Sequence, residues 1–168
     1  MNPKQRRVQQ SSGSTDDRSR WPLGAPRATD TGVSKPTPHT YAIPVDPADI
    51  DFMGHVNNAS YLKWVQDAVI DHWRSLAPAD AVAQHLWVAL KHEITYRRPT
   101  FLGDDVIATV LLEKVQGARA FYETIIKRGE DVLAEVRSSW CCVDAQTLRP
   151  ARLARDIVER FFPVTAAD

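Results

Sequence analysis

Residues 59–76 are the one long helical stretch that the chain offers, and four strand-length runs follow it. Tyr61, Leu62, Val65, Ala68, Val69, Trp73 and Leu76 recur at helical spacing, while Lys63, Gln66, Asp67, Asp71 and Arg74 fill the other face. Asn57 or Asn58 suits the N-cap, and Pro78 stops the segment. Residues 86–97 then alternate Val88, Leu90, His92, Ile94 and Tyr96 against Ala89, Lys91, Glu93, Thr95 and Arg97. After a turn over 99–105 come strands at 106–115, 118–127 and 132–143, separated by Gln116-Gly117 and Arg128-Gly129-Glu130. A short strand at 39–45 precedes the helix, and residues 156–162 can form a short terminal one. One helix and five strands with short turns predict an α+β layer, an antiparallel five-stranded sheet curved around a single central helix.

Composition narrows the setting. The 168 residues carry 21 basic and 21 acidic groups, so no global charge points to nucleic acid or a membrane surface. Residues 1–38 hold seven basic groups and three acids, a net of +4, which leaves 14 basic against 18 acidic groups, a net of −4, for the rest. That first segment is rich in Ser, Thr, Pro, Gly and charge without an apolar face, and is expected to be a disordered extension. The organisation predicted is therefore 1–38 as extension, 39–148 as the domain and 149–168 as a C-terminal tail. No apolar run approaches the ~20 residues of a membrane span, and none near Met1 resembles a secretory signal core. Cys141 and Cys142 are adjacent on a strand and would face opposite ways, so two reduced thiols in a cytoplasmic protein are expected.

The chemistry concentrates just ahead of the helix, in Asp49-Ile50-Asp51-Phe52-Met53-Gly54-His55-Val56-Asn57-Asn58. Two carboxylates, an imidazole and two side-chain amides lead into a helix start, whose unpaired N–H groups can hold developing negative charge. A carboxylate beside such a site is equipment for acyl transfer or hydrolysis. Asp49 is expected to order the loop, and Gly54 to allow positive φ or a close approach of backbone to substrate.

With Ala59-Ser60-Tyr61-Leu62-Lys63-Trp64 added, this segment resembles the loop-plus-helix signature of hotdog-fold thioesterases of the 4-hydroxybenzoyl-CoA thioesterase-like group. Residues 94–106, from Ile94-Thr95-Tyr96-Arg97-Arg98-Pro99 to Gly103-Asp104-Asp105-Val106, are similar to that group's second-to-third strand turn. The resemblance covers about residues 39–148. It implies a hotdog fold, hydrolysis of an acyl-CoA substrate in fatty acid metabolism without a cofactor, and a homodimer or dimer of dimers with active sites between subunits. Asp51 falls on the group's catalytic carboxylate, and Asn58 on the position whose backbone N–H polarises the thioester carbonyl. Asp51 would attack the carbonyl or activate a water, and the sequence leaves both open. His55 resembles a catalytic histidine of plant acyl-carrier-protein thioesterases, although Met53 replaces the asparagine of that pattern. Gly54 completes the catalytic loop; Asn57, Tyr61, Arg97 and Arg98 are the substrate-binding candidates, the two arginines for CoA phosphates.

His92 is expected to be packed and hydrogen-bonded, and Trp64 and Trp73 to lie in the core. No His, Cys and carboxylate spacing suits a metal. The rival functions are an acyl-carrier-protein thioesterase, an acyl-thioester hydratase and a non-catalytic acyl-CoA-binding dimer. Oligomerisation follows from the sheet as well: Val106, Ala108, Val110 and Leu112 oppose Ile107, Thr109 and Leu111, and one helix covers only one of those faces.

Overall fold

The computed structural model describes residues 36–162. The expected disorder of the extension falls almost wholly outside those residues. Five strands, β1 (His39–Ile43), β2 (His85–Tyr96), β3 (Val106–Gln116), β4 (Arg119–Arg128) and β5 (Asp131–Asp144), form one antiparallel sheet in the order β1-β3-β4-β5-β2. Helix α1 (Asn58–Leu76) lies across it, a short α2 (Ala79–Gln84) links it to β2, and α3 (Arg155–Glu159) closes the described chain. This is the hotdog architecture expected from the sequence.

The alternation along the strands decides which face meets the helix. Val106, Ala108, Val110 and Leu112 of β3, with Tyr122, Thr124 and Ile126 of β4 and Val136 and Trp140 of β5, are buried on one side. Against them α1 sets Tyr61, Trp64, Val65, Ala68, Val69, His72 and Trp73, all buried. Each large apolar side chain so removed from water contributes roughly 1.5–3 kcal/mol. Irregular pairing at Ala89/Lys91, Leu112/Lys114 and Ile126/Lys127 adds local twist, which bends the sheet around the helix.

Two features go beyond the alternation pattern. β2 and β3, consecutive in sequence, are not neighbours: β2 is an edge strand, and residues 97–105 cross the ends of β5 and β4 to reach β3. The tail after residue 148 also folds back, through the Val143–Pro150 bridge and the bond from the Ala151 N–H to the Cys142 carbonyl, and Phe161 joins the core at 3% exposure. Among the described residues no helix is long and apolar enough to cross a membrane.

Candidate active site

The loop between β1 and α1 is built by its own short polar side chains. Asp46 and Asp49 cap a 3-10 turn at Pro47–Asp49 reciprocally, the Asp46 N–H donating to Asp49 Oδ2 at 3.0 Å. Asp49 is thus the loop-ordering acceptor expected, and its carbonyl also takes the Asn57 N–H at 2.8 Å. Between the Ile50–Val56 bridge the chain reverses over Asp51 to Gly54: the Gly54 N–H donates to the Asp51 carbonyl at 3.0 Å, and the Asp51 N–H to the His55 carbonyl at 2.9 Å. Gly54 sits at φ +81°, a region that costs other L-residues about 1 kcal/mol or more.

That turn fixes the carboxylate of Asp51. Its Oδ1 accepts the Met53 N–H at 2.8 Å, while Oδ2 accepts no hydrogen bond among the described residues and faces His55 Nδ1 at 3.9 Å. The side chain is only 16% exposed, so it is presented from a partly shielded position. His55 Nδ1 lies 3.2 Å from the Val56 carbonyl; a carbonyl only accepts, so this contact puts the ring proton on Nδ1 and leaves Nε2 as an acceptor.

Asn57 is the N-cap of α1. Its Oδ1 takes the Ala59 N–H at 2.8 Å and its carbonyl the Ser60 N–H at 2.9 Å. The Asn58 N–H, one position earlier, has no acceptor among the described residues, at the positive end of a 19-residue helix. Asp51, Gly54, His55, Asn57 and Asn58 are therefore brought together on one short loop.

Three residues under that loop hold it to the sheet. Tyr61 is buried, and its hydroxyl meets Thr100 Oγ1 at 2.7 Å; the Thr100 carbonyl accepts the Val56 N–H at 2.8 Å; the Tyr96 hydroxyl donates to the Asn58 carbonyl at 2.9 Å. Burial raises the Tyr61 hydroxyl above its ordinary value, the bond to Thr100 opposing it, and burial likewise raises that of Tyr96. Thr100 and Tyr96 gave no sign of this work in sequence, since a hydroxyl after a Pro and a strand-end tyrosine have many uses. In this protomer Tyr61 supports the loop from beneath.

Three arginines at this end of the sheet are paired. Arg97 binds Glu135 through Nε and Nη2 at 2.9 and 2.7 Å, Arg98 meets Asp131 at 3.2 Å, and Arg128 meets Asp104 at 2.7 Å. Burial alone would raise the Asp104 carboxyl, but the Phe101 N–H and the Arg128 guanidinium hold it below its ordinary value. Arg97 and Arg98 remain more than half exposed. The loop tips beside them are apolar and open to solvent: Phe52 is 97% exposed, with Met53, Phe101 and Leu102 also exposed.

Elsewhere, Trp64 and Trp73 lie in the core as expected. His92 packs edge-on against Trp140 at 5.3 Å, but its buried Nδ1 has no hydrogen-bond partner, so it is packed without being bonded there. Cys141 and Cys142 are free, and burial together with Cys141 pushes the Cys142 thiol up to about 12, far from a nucleophile's range. No group of three or more His, Cys, Asp or Glu side chains comes together as a metal site among the described residues.

Comparison with known proteins agrees with this fold. The long-chain acyl-CoA thioesterase FadM of Escherichia coli is 27% identical over 118 residues, covering 66% of this chain and 87% of that protein. A thioesterase of Thermus thermophilus, crystallised with coenzyme A and zinc, superposes with a TM-score of 0.63 at 27% identity, over 73% of this chain and 95% of that one. A probable thioesterase from Bartonella henselae does so with a TM-score of 0.63 at 26% identity, over 71% and 99%. A family profile described as the thioesterase-like superfamily matches residues 45–161, which include Asp49 to Asn58 and the whole of α1. The chain belongs to the thioesterase-like superfamily, as a hotdog-fold thioester hydrolase.

Proposed function

We propose that the protein hydrolyses an acyl-CoA thioester to the free acid and CoA, without a cofactor, through Asp51 and the backbone N–H of Asn58. The observation that carries this reading is the Asp51 carboxylate with one oxygen fixed by Met53 and the other uncommitted, on the loop that ends in an unpaired helix N–H. The thioester carbonyl accepts from Asn58, and the oxyanion that forms is held there. Asp51 then either attacks the carbonyl carbon, expelling CoA thiolate and leaving an anhydride that water opens, or takes a proton from the water that attacks. His55, its Nδ1 proton committed to Val56, offers Nε2 to that water or to the substrate. Gly54 makes the reversal possible, and Asn57 caps the helix and orients the Asn58 N–H. Arg97 and Arg98 exchange part of their pairing with Glu135 and Asp131 for CoA phosphates. Tyr61, buried beneath the loop, positions it through Thr100 instead of meeting substrate.

The acyl-CoA substrate is supported by the activity named for FadM and by the CoA in the Thermus thioesterase crystal. We propose further that the active species is a homodimer or a dimer of dimers. The β2 edge is twelve residues long and exposes Leu86, Val88 and Leu90, which a second copy would cover. Two free thiols fit action in the cytoplasm, where acyl-CoA is at hand.

The test is incubation with a panel of acyl- and enoyl-CoAs, and with acyl-carrier-protein thioesters, reading free thiol. Thiol release from acyl-CoA supports the proposal. Release from the carrier protein alone, loss of enoyl absorbance without thiol, or binding with neither would replace it by the carrier-protein thioesterase, the hydratase or the passive binder.

A further inference from the structure

The Asn58 N–H can steady an oxyanion only while it keeps one direction, and the chain fixes that direction peptide by peptide. The N–H shares its peptide with the Asn57 carbonyl, which accepts the Ser60 N–H at 2.9 Å. The accepted bond polarises the peptide and makes the Asn58 N–H a stronger donor. The next peptide joins the Asn58 carbonyl to the Ala59 N–H and is held at both ends. Ala59 donates to Asn57 Oδ1 at 2.8 Å, and the Asn58 carbonyl accepts from the Tyr96 hydroxyl at 2.9 Å. The bonds from Ser60 and Ala59 are made within the turn and move with it. The bond from Tyr96 comes from the sheet, 38 positions away in the chain, and sets where the helix start stands against β2.

Tyr96 is itself held on two sides. It is the last residue of β2, in register with Ala134 of β5, and the N–H groups of Arg97 and Arg98 that follow it both donate to the Leu133 carbonyl, at 2.8 and 3.2 Å. Its ring meets Tyr61 edge-on, with centroids 5.2 Å apart and planes at 87°, and Tyr61 is buried and tied to Thr100. Backbone and ring together leave the hydroxyl one place to stand. A Phe at this position keeps the strand and the ring contact and loses only the bond to Asn58. That bond lies at the exposed rim, so the released carbonyl can turn to water and the fold loses little.

We propose that Tyr96 is a positioning residue for the thioester hydrolysis: its hydroxyl holds the Asn58 carbonyl to the end of β2 and so aims the Asn58 N–H at the thioester oxygen. This rests on the oxyanion role proposed for Asn58 above and adds the side chain that makes that N–H directional. The hydroxyl does not touch the substrate. Its loss is felt where charge on the oxygen is greatest, in the transition state, more than in binding.

The test is Tyr96→Phe, assayed on the acyl-CoA that the wild type turns over fastest. Misaiming an oxyanion donor costs less than the roughly 100- to 1000-fold of removing one, so kcat should fall by about tenfold with KM within about threefold. The Tm should stay near that of the wild type, and the amide resonances of Asn58 and Ala59 should shift in nitrogen-edited NMR spectra while those of β4 do not. Installing para-aminophenylalanine at position 96 returns a donor to the same place and should restore most of kcat. A kcat within about twofold of the wild type would overturn the proposal, and so would a KM raised about tenfold with kcat unchanged, which would put the hydroxyl on the substrate. A loss that para-aminophenylalanine fails to restore would overturn it too. Absence of thiol release by the wild-type protein would instead overturn the parent reading; unmoved Asn58 and Ala59 amides in Tyr96→Phe would overturn the positioning by itself.

Discussion

The hydroxyl pair of Tyr61 and Thr100 shows how little material positions the loop. Thr100 is fully buried, its Oγ1 meets Tyr61 at 2.7 Å, and its carbonyl takes the N–H of Val56, two residues before Asn58. Removing the phenol oxygen leaves a buried hydroxyl short of a partner, at a cost of about 1–2 kcal/mol. Tyr61→Phe should therefore lower the Tm by roughly 3–6 °C, read by thermal unfolding, and reduce kcat more than it changes KM. An unchanged Tm with a KM raised about tenfold or more would mean that the hydroxyl touches substrate instead. Asp51 and His55 stood out in the sequence because a polar cluster before a helix has few structural uses. The bond that Tyr61 makes was hidden, since its partner lies 39 positions away.

At the scale of the element, α1 carries a titratable group on its buried face. His72 is 2% exposed, stacked on His39 at 5.1 Å and edge-on to Tyr122 and Phe161. Burial first, and the neighbouring His39 second, lower it from 6.5 to about 4, with Asp71 opposing. The unfolded chain thus takes up this proton more readily than the folded one. Stability is fully present above the unfolded value and falls as pH drops from 6.5 toward 4, by up to about 3 kcal/mol. His92, lowered by burial, acts in the same sense. Denaturant midpoints measured from pH 7.5 to 4 should fall steadily, and His72→Leu should remove most of that slope; an unchanged slope would show that other groups dominate. The sequence disclosed α1 itself to within a residue, since apolar spacing, cap and Pro78 agree, but a histidine flanked by Asp71 and Arg74 does not read as core. α2, six residues long, carries too few periods to register, and the placement of β2 on the outer edge depends on which way residues 97–105 cross. The pairing of Arg97 with Glu135 and of Arg128 with Asp104 depends on the same crossing and was equally hidden.

For the whole molecule, one protomer leaves its chemistry half enclosed. The helix covers a single face of the sheet, Ile107 is 47% exposed on the other, and Phe52, Leu86 and Val88 meet water as well. Light scattering at micromolar protein should give at least twice 18.9 kDa. A stable, active species of the single-chain mass would refute both the shared site and the paired β2 edges. The alternation of Ile107, Thr109 and Leu111 against Val106, Ala108 and Val110 announced this second face in the sequence, while the exposed loop tip at Phe52 became visible only once the turn was formed. The hydrolysis as a whole turns on Asp51. Asn is nearly isosteric and can still accept the Met53 N–H, so Asp51→Asn removes the charge while leaving the turn intact. Acyl-CoA hydrolysis followed by thiol release should fall by at least ~100-fold in that variant, with oligomeric state and Tm unchanged. Retention of more than about a tenth of the wild-type rate would contradict the assignment of the reaction to this carboxylate.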